Sequence, residues 1–331
     1  MASSQQQHSE LVQSVVESYL LGGERKYDRH QVAEHSGVAP GVSRRLWTAL
    51  GFPANDDSAV DYTEGDVEAV RKFRSMSVVG GADLRSQAAA ARTIGQGMAR
   101  LAEWQADLVL AEIYTRMAAE GDSPENVRRI SEETMTALAD LLSYTWRRHL
   151  AAALNRSFDG AVTPLNEDST RELAVGFADM VGYTRLTRHL HPDELSTLLE
   201  AFESTTTAAI TEHGGWVIKN VGDEVMFAAE TARAAAHIAL DIQESTMLVG
   251  STPELRVAVA YGPVLQRFGD LYGTVVNIAA RLTGVARPGT VLVDDGAEEK
   301  LRDDPEFKVR HLRSVRLRGF NRLRPHLIRR A

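Results

Sequence analysis

The hydrophobic period of this chain changes between Ser157 and Arg171, and that change limits what can fold on either side of it. Before it, apolar residues recur at helical spacing. After it, short β-branched runs alternate with helical stretches. The segment between them carries Gly160, Pro164, Asn166 and Asp168, all turn formers. We therefore read residues 1–156 as an all-helical domain, 157–170 as a linker, and 171–331 as a domain of mixed strands and helices. A length of 331 residues accommodates both.

In the helical half, Leu11, Val12, Val15, Val16, Tyr19 and Leu20 share one side of a helix that ends at Gly22-Gly23. Residues 30–53 read as a short helix, a turn at Gly37, and a second helix leading to Leu50-Gly51-Phe52-Pro53. This segment resembles the helix-turn-helix of MerR-type regulators, in which Arg44 and Arg45 would face phosphates. The net charge is −8 and no basic cluster extends that pair, so the segment reads as packing and nucleic acid is not an expected partner. Thr63 and Asp66 form a capping box ahead of Val67, Val70 and Phe73. After Gly80-Gly81, Asp83 is expected to cap a long alanine-rich helix running to about Ala119. Ser123 and Pro124 start the last helix, expected to reach about Asn155, with Leu138, Leu141, Leu142, Thr145 and His149 on one face. Long amphipathic helices of this kind point to packing against a partner.

Three exclusions follow from composition. Without cysteine there are no disulfides and no thiolate metal sites. No run of about eighteen apolar residues predicts a membrane span. Met1 to Glu10 is Ser/Gln-rich and lacks the apolar core of a signal peptide, so a cytoplasmic location is expected.

The mixed half carries the chemistry. A buried strand, Leu173 to Ala178, ends at Asp179 ahead of the Gly182 turn. A carboxylate at a strand end, before free N–H groups of a turn, suits a site for a hard cation and phosphate. Trp216 to Phe227 reads as a β-hairpin with Gly222, Asp223 and Glu224 in its turn, which supplies a second carboxylate. Lys219 stands four residues before Asp223, one of five lysines against thirty-two arginines. A strand from Leu255 to Tyr261 is expected to end at Gly262-Pro263. Asn277 and Arg281, four apart, share a helix face whose small apolar neighbours mark it as buried or interfacial.

Three segments, Phe177 to Thr184, Lys219 to Asp223 and Asp270 to Arg281, resemble in content, order and spacing the signature segments of class III nucleotidyl cyclases. The resemblance covers about residues 170–330. It implies an α+β ferredoxin-like class III cyclase catalytic domain, here preceded by an all-α regulatory domain. It implies a head-to-tail homodimer with two sites across the interface. Asp179, Asp223 and the backbone carbonyl of Met180 would hold two Mg²⁺ or Mn²⁺ ions, and the backbone of Tyr183 and Thr184 would hold phosphates. Lys219 and Asp270 would read the base, Asn277 would orient the ribose, and Arg281 would stabilise charge on the α-phosphoryl group.

Lysine only donates hydrogen bonds and ionised aspartate only accepts them, a pair that complements N1 and N6 of adenine. ATP is the expected substrate and 3′,5′-cyclic AMP the product, which makes the chain an adenylyl cyclase. The distance from Gly262 to Asp270 is short and resembles a soluble bacterial subgroup with a truncated arm. Arg267 and either Arg316 or Arg318 are further expected phosphate contacts. In that subgroup the helical domain dimerises, responds to pH or binds a fatty acid, so a lipid partner and a sensing role for His149 are also expected. Two alternatives stand beside this reading: a degenerate nucleotide-binding signalling protein, and a helix-turn-helix regulator with a nucleotide sensor.

Overall fold

The structure is a computed structural model describing residues 2–53, 56–75, 84–159, 170–248, 253–317 and 320–331. The chain forms two compact units, residues 1–162 and 163–331. The linker expected at 157–170 lies largely outside the described residues, as do Gly80, Gly81 and the Asp83 cap.

The first unit is helical: α1 (Ala2–Leu20), α2 (Arg29–Ser36), α3 (Pro40–Leu50), α4 (Glu64–Ser75), α5 (Leu84–Glu120) and α6 (Pro124–Asp159). Helix α1 begins nine residues before the expected pattern, because its polar first half is a helix without an apolar stripe. Asp28 and Gln31 form a reciprocal capping box at α2, and Gly37 in the left-handed region closes that helix. Val32, Val38, Tyr62, Val67 and Val70 then make a small core. Arg44 leans on Asp57 at 3.8 Å and Arg45 is exposed. The Thr63 box is half formed. Asp66 accepts from the Thr63 N–H at 2.7 Å, but the Thr63 hydroxyl also donates to the Leu21 carbonyl at 2.6 Å.

Helices α5 and α6 bury only part of their length. Ala91, Val109, Ile113 and Met117 on α5 and Val127, Ile130 and Met135 on α6 are buried. Ile94, Met98 and Leu108 on α5 are about half exposed. Helix α6 runs to Asp159, past the expected Asn155, and the Ser157 hydroxyl bonds back to the Ala153 carbonyl. Among the described residues, no helix is long and apolar enough to cross a membrane.

The second unit comprises β1 (Thr170–Met180), α7 (Tyr183–Leu186), α8 (Pro192–Glu212), β2 (Trp216–Val221), β3 (Glu224–Ala229), α9 (Ala232–Leu248), β4 (Leu255–Arg267), β5 (Asp270–Tyr272), α10 (Thr274–Val285), β6 (Thr290–Val293), α11 (Asp295–Leu301), β7 (Phe307–His311), β8 (Val315–Leu317), β9 (Phe320–Leu323) and β10 (His326–Arg330). The main sheet has the order β2-β3-β1-β4-β6-β10-β7, and β5 pairs with the far part of β4. The segment β1-α8-β2-β3-α9-β4 gives the antiparallel order β2-β3-β1-β4, which is the ferredoxin-like arrangement. Strand β4 continues through Gly262-Pro263 to Arg267, beyond its expected end. At Pro263 its described partner is β1 alone, so one edge is open and a missing N–H is tolerated.

Alternation along the strands separates two layers. Ala174, Ala178, Val225, Phe227, Val257 and Val259 pack with Phe202 and Ile210 of α8 and Ile238 and Ile242 of α9. Leu173, Val175, Phe177, Met226 and Ala228 pack with Leu271 of β5 and Val275 and Ala279 of α10. Phe227 lies against Gly176, where a Cβ would stand 2.1 Å from the ring, so only glycine admits that aromatic. Full burial of such a ring stabilises by ~2–3 kcal/mol. Asp179 continues the parity of Val175 and Phe177, so it leaves the sheet on the α10 side.

Candidate active site

Two tight hairpins carry the candidate side chains. Between β2 and β3, Val221 pairs with Glu224, leaving a two-residue turn of Gly222 and Asp223. Gly222 has φ 62°, the value a II′ turn requires at its first central position. The Met180 N–H donates to the Asp223 carbonyl at 3.1 Å, which ties the turn to the end of β1. Asp179 pairs directly with Glu224. The expected carboxylates Asp179 and Asp223 are thus together, with Glu224 as a third that the sequence reading left in the turn without a role.

Electrostatics mark the cluster. Burial first, then the neighbouring Asp223, push the Asp179 carboxyl above the ordinary carboxylate range, against the pull of Arg256. Glu224 is also raised, by burial and then by Asp179 and Asp223, with Lys219 opposing. Arg256 stands across β4 from Asp179, its Nε 3.9 Å from Oδ2. That Nε is buried and lacks a hydrogen-bond partner among the described residues. The sequence reading missed Arg256. Its signal was an arginine inside the apolar run Leu255 to Ala260.

Crowded hard-oxygen donors of one sign suit a divalent cation. Among the described residues no three His, Asp or Glu side chains converge on one metal position.

The second hairpin supplies the other expected pair. Arg267 is opposite Asp270, with Phe268 and Gly269 as the turn. Lys219 Nζ donates to Asp270 Oδ2 at 2.7 Å, and the Leu271 N–H donates to Oδ1 at 2.9 Å. Both side chains are partly exposed, at 42% and 30%, so the pair is open to a ligand. Arg267 lies at this hairpin, its guanidinium carbon 5.0 Å from the Phe268 ring centroid.

Helix α10 packs through Val275, Ala279, Leu282 and Thr283. Asn277 and Arg281 face away, exposed, and form no hydrogen bond or ion pair with Asp179, Asp223, Lys219 or Asp270 among the described residues. Their face is not buried within this chain. Tyr183 and Thr184 begin α7 after Gly182 at φ 77°, where helix N–H groups lack intrahelical acceptors. Arg318 lies outside the described residues, as does the side chain of Arg316. His149 is exposed on α6.

Comparison with known proteins gives consistent matches. A family model described as the adenylate and guanylate cyclase catalytic domain matches residues 165–330. An adenylate cyclase of Streptomyces coelicolor is 42% identical over 296 residues, covering 88% of this chain and 76% of the relative. One from Glutamicibacter nicotianae is 35% identical over 327 residues, covering 94% and 80%. A pH-sensitive adenylate cyclase of Mycobacterium tuberculosis is 30% identical over 311 residues, covering 91% and 77%.

Proposed function

The chain belongs to the adenylate and guanylate cyclase catalytic domain family, and we infer that it is an adenylate cyclase converting ATP to 3′,5′-cyclic AMP and pyrophosphate. The observation that carries the choice of base is the Lys219–Asp270 pair at 2.7 Å. It presents one donor and one acceptor side by side. Adenine offers an acceptor at N1 and a donor at N6, and guanine reverses that order.

Asp179, Asp223 and the Met180 carbonyl would hold two Mg²⁺ or Mn²⁺ ions, which supply acidification of the ribose 3′-hydroxyl and neutralisation of the polyphosphate. The 3′-oxygen loses its proton to solvent and bonds to the α-phosphorus. The bond from that phosphorus to the α,β-bridging oxygen breaks, and pyrophosphate leaves. Backbone N–H groups of Tyr183 and Thr184 hold the outer phosphates. Asn277 orients the ribose, and Arg281 stabilises charge developing on the α-phosphoryl group.

Asn277 and Arg281 are exposed and make no hydrogen bond or ion pair with the carboxylates of their own chain among the described residues, which supports a head-to-tail homodimer. One chain gives Asp179 and Asp223 to a site and the other gives Lys219, Asp270, Asn277 and Arg281. Replacement of Lys219 or Asp270 should reduce ATP turnover without altering folding. Unchanged kinetics would sink the assignment.

The helical half, residues 1–156, is read as the regulatory and dimerisation domain, joined by 157–170 to the catalytic domain at 171–331. Tyr144, Trp146, Leu150, Leu154 and Phe158 on α6 are 40–70% exposed, a surface suited to a second copy. A cavity of about 700 Å³ among α1, α5 and α6, lined by Val12, Val16, Leu20, Val109, Met135 and Leu138, suits an acyl chain. The pH-sensitive relative makes pH a second candidate signal, with His149 as the sensor. A cytoplasmic location fits the ATP substrate. Activity against pH for His149→Ala and for residues 166–331 alone tests the sensing role. Identical profiles with the full chain would remove it.

A further inference from the structure

The last two strands of the main sheet differ in charge between their faces. Strand β7 ends the sheet order and pairs with β10. Among the described residues, no backbone bond is made to its other edge between Lys308 and Arg310. Phe307, Val309 and His311 oppose Arg330, Ile328 and His326 on the side of α8 and α9. There the charges are paired. Arg330 reaches Glu244 at 3.0 Å and also Asp241, and His237 of α9 meets Glu306 at 3.0 Å. The opposite side carries Lys308 and Arg310 of β7 with Leu327 and Arg329 of β10. Its three cations are exposed, and none of their side chains has an ion-pair or hydrogen-bond partner among the described residues. Lys308 directly opposes Arg329, a like-charge relation that costs stability. The chain holds 45 acidic residues against 37 lysines and arginines, so a shortage of carboxylates is not the cause.

Cations on an edge strand ordinarily keep other strands away. That accounts for Lys308 and Arg310. It does not account for Arg329, which lies one strand inside the edge and faces Lys308 at a cost. We propose that the open edge of β7 is a docking site for an extended acidic segment of another protein, in which carboxylates alternate with apolar residues. Added as a further strand, such a segment makes backbone bonds with β7. Its like-facing residues recur about every 7 Å, the same period as Lys308 and Arg310. Carboxylates on one face meet those two cations, and Arg329 strengthens the positive field behind them. Apolar residues on the other face extend the surface of Phe307 and Val309. Single-stranded nucleic acid fits less well, because Lys308, Arg310, Leu327 and Arg329 offer no aromatic ring on which a base could stack.

The test uses the full-length protein and a short labelled peptide of alternating glutamate and valine. Fluorescence anisotropy reads binding, and amide hydrogen exchange in β7 reads strand addition. The parent should bind this peptide in preference to its lysine–valine counterpart, and the amides from Lys308 to Arg310 should gain protection. Replacing Lys308, Arg310 and Arg329 together by glutamine should weaken binding about tenfold, the scale of three exposed ion pairs. Lys308→Glu with Arg310→Glu should reverse the preference toward the lysine–valine peptide, a gain that misfolding cannot imitate. No binding by the parent would overturn the proposal, as would a preference that charge reversal leaves unchanged, or binding without protection of the β7 amides. A triple glutamine variant that self-associates yet binds the acidic peptide as the parent does would show that the cations only guard the edge. Sedimentation with phosphatidylglycerol vesicles, in the absence of peptide binding, would assign the face to a membrane and overturn the proposal as well.

Discussion

The two hairpins of the catalytic unit each present a site carboxylate from a two-residue turn, and they obey local chemistry differently. At the β2–β3 turn, glycine occupies the position where φ is 62°. Asp223 follows without strain, tied to β1 through its own carbonyl. At the β4–β5 turn, phenylalanine occupies the corresponding left-handed position, at φ 52°. The first turn needs only to deliver a carboxylate to a cluster already made electronegative by Asp179 and Glu224. The second sets Asp270 against Lys219 at 2.7 Å, with Arg267 across from it in the hairpin.

The sharpest way to break this comparison is to remove the two carboxylates separately. Asp223→Ala should lower turnover of ATP roughly a thousandfold, the scale of losing a fixed electrostatic contact at reacting charge. Circular dichroism should stay parental, because the turn's contact to β1 uses backbone atoms. More than a tenth of parental activity would contradict the metal role.

Mixing Asp179→Ala chains with Lys219→Ala chains should next restore about one working site per heterodimer, if sites are shared across copies. Heterodimers that form without regaining activity would count against sharing. Asp270→Ala should act on selection more than on chemistry. A roughly tenfold rise in KM for ATP is expected for loss of a hydrogen bond to a charged group, with the ATP preference collapsing.

The smallest effect is on stability. Burial and then Asp223 raise the folded-state pKa of Asp179, so its ionisation opposes folding. A carboxyl with a raised folded pKa favours the native state below its unfolded pKa and loses that contribution as pH rises through the folded value. Asp179→Asn should therefore raise Tm of the metal-free protein at neutral pH. The gain should shrink as pH falls into and below the carboxylate range. A Tm gain independent of pH would show that packing, not charge, is responsible.

Much of the catalytic unit was legible in the sequence because local signals agreed with one another. Asp179 closes an apolar strand before a glycine turn, and Asp223 follows the glycine that its hairpin demands. Lys219 and Asp270, 51 residues apart, were legible as a pair only through the family resemblance, and their chemistry then pointed to adenine. Arg256 was missed because one charge in a buried strand is read against the strand's apolar run. Only the register with β1 shows it opposite Asp179. Phe268 was missed because nothing in Arg267-Phe268-Gly269 announces a left-handed phenylalanine. The helical unit was legible in its elements and not in its packing. Ile94, Met98 and Leu108 are large apolar residues of the long helix α5, yet in the structure they are 51%, 56% and 47% exposed.

The central claim concerns a product. Purified full-length protein incubated with ATP or with GTP, each with Mn²⁺, and assayed for cyclic nucleotide and pyrophosphate, tests it most directly. The account predicts 3′,5′-cyclic AMP and pyrophosphate in equal amounts from ATP, and little cyclic GMP from GTP. No cyclic nucleotide from either substrate, or cyclic GMP as the favoured product, would contradict it.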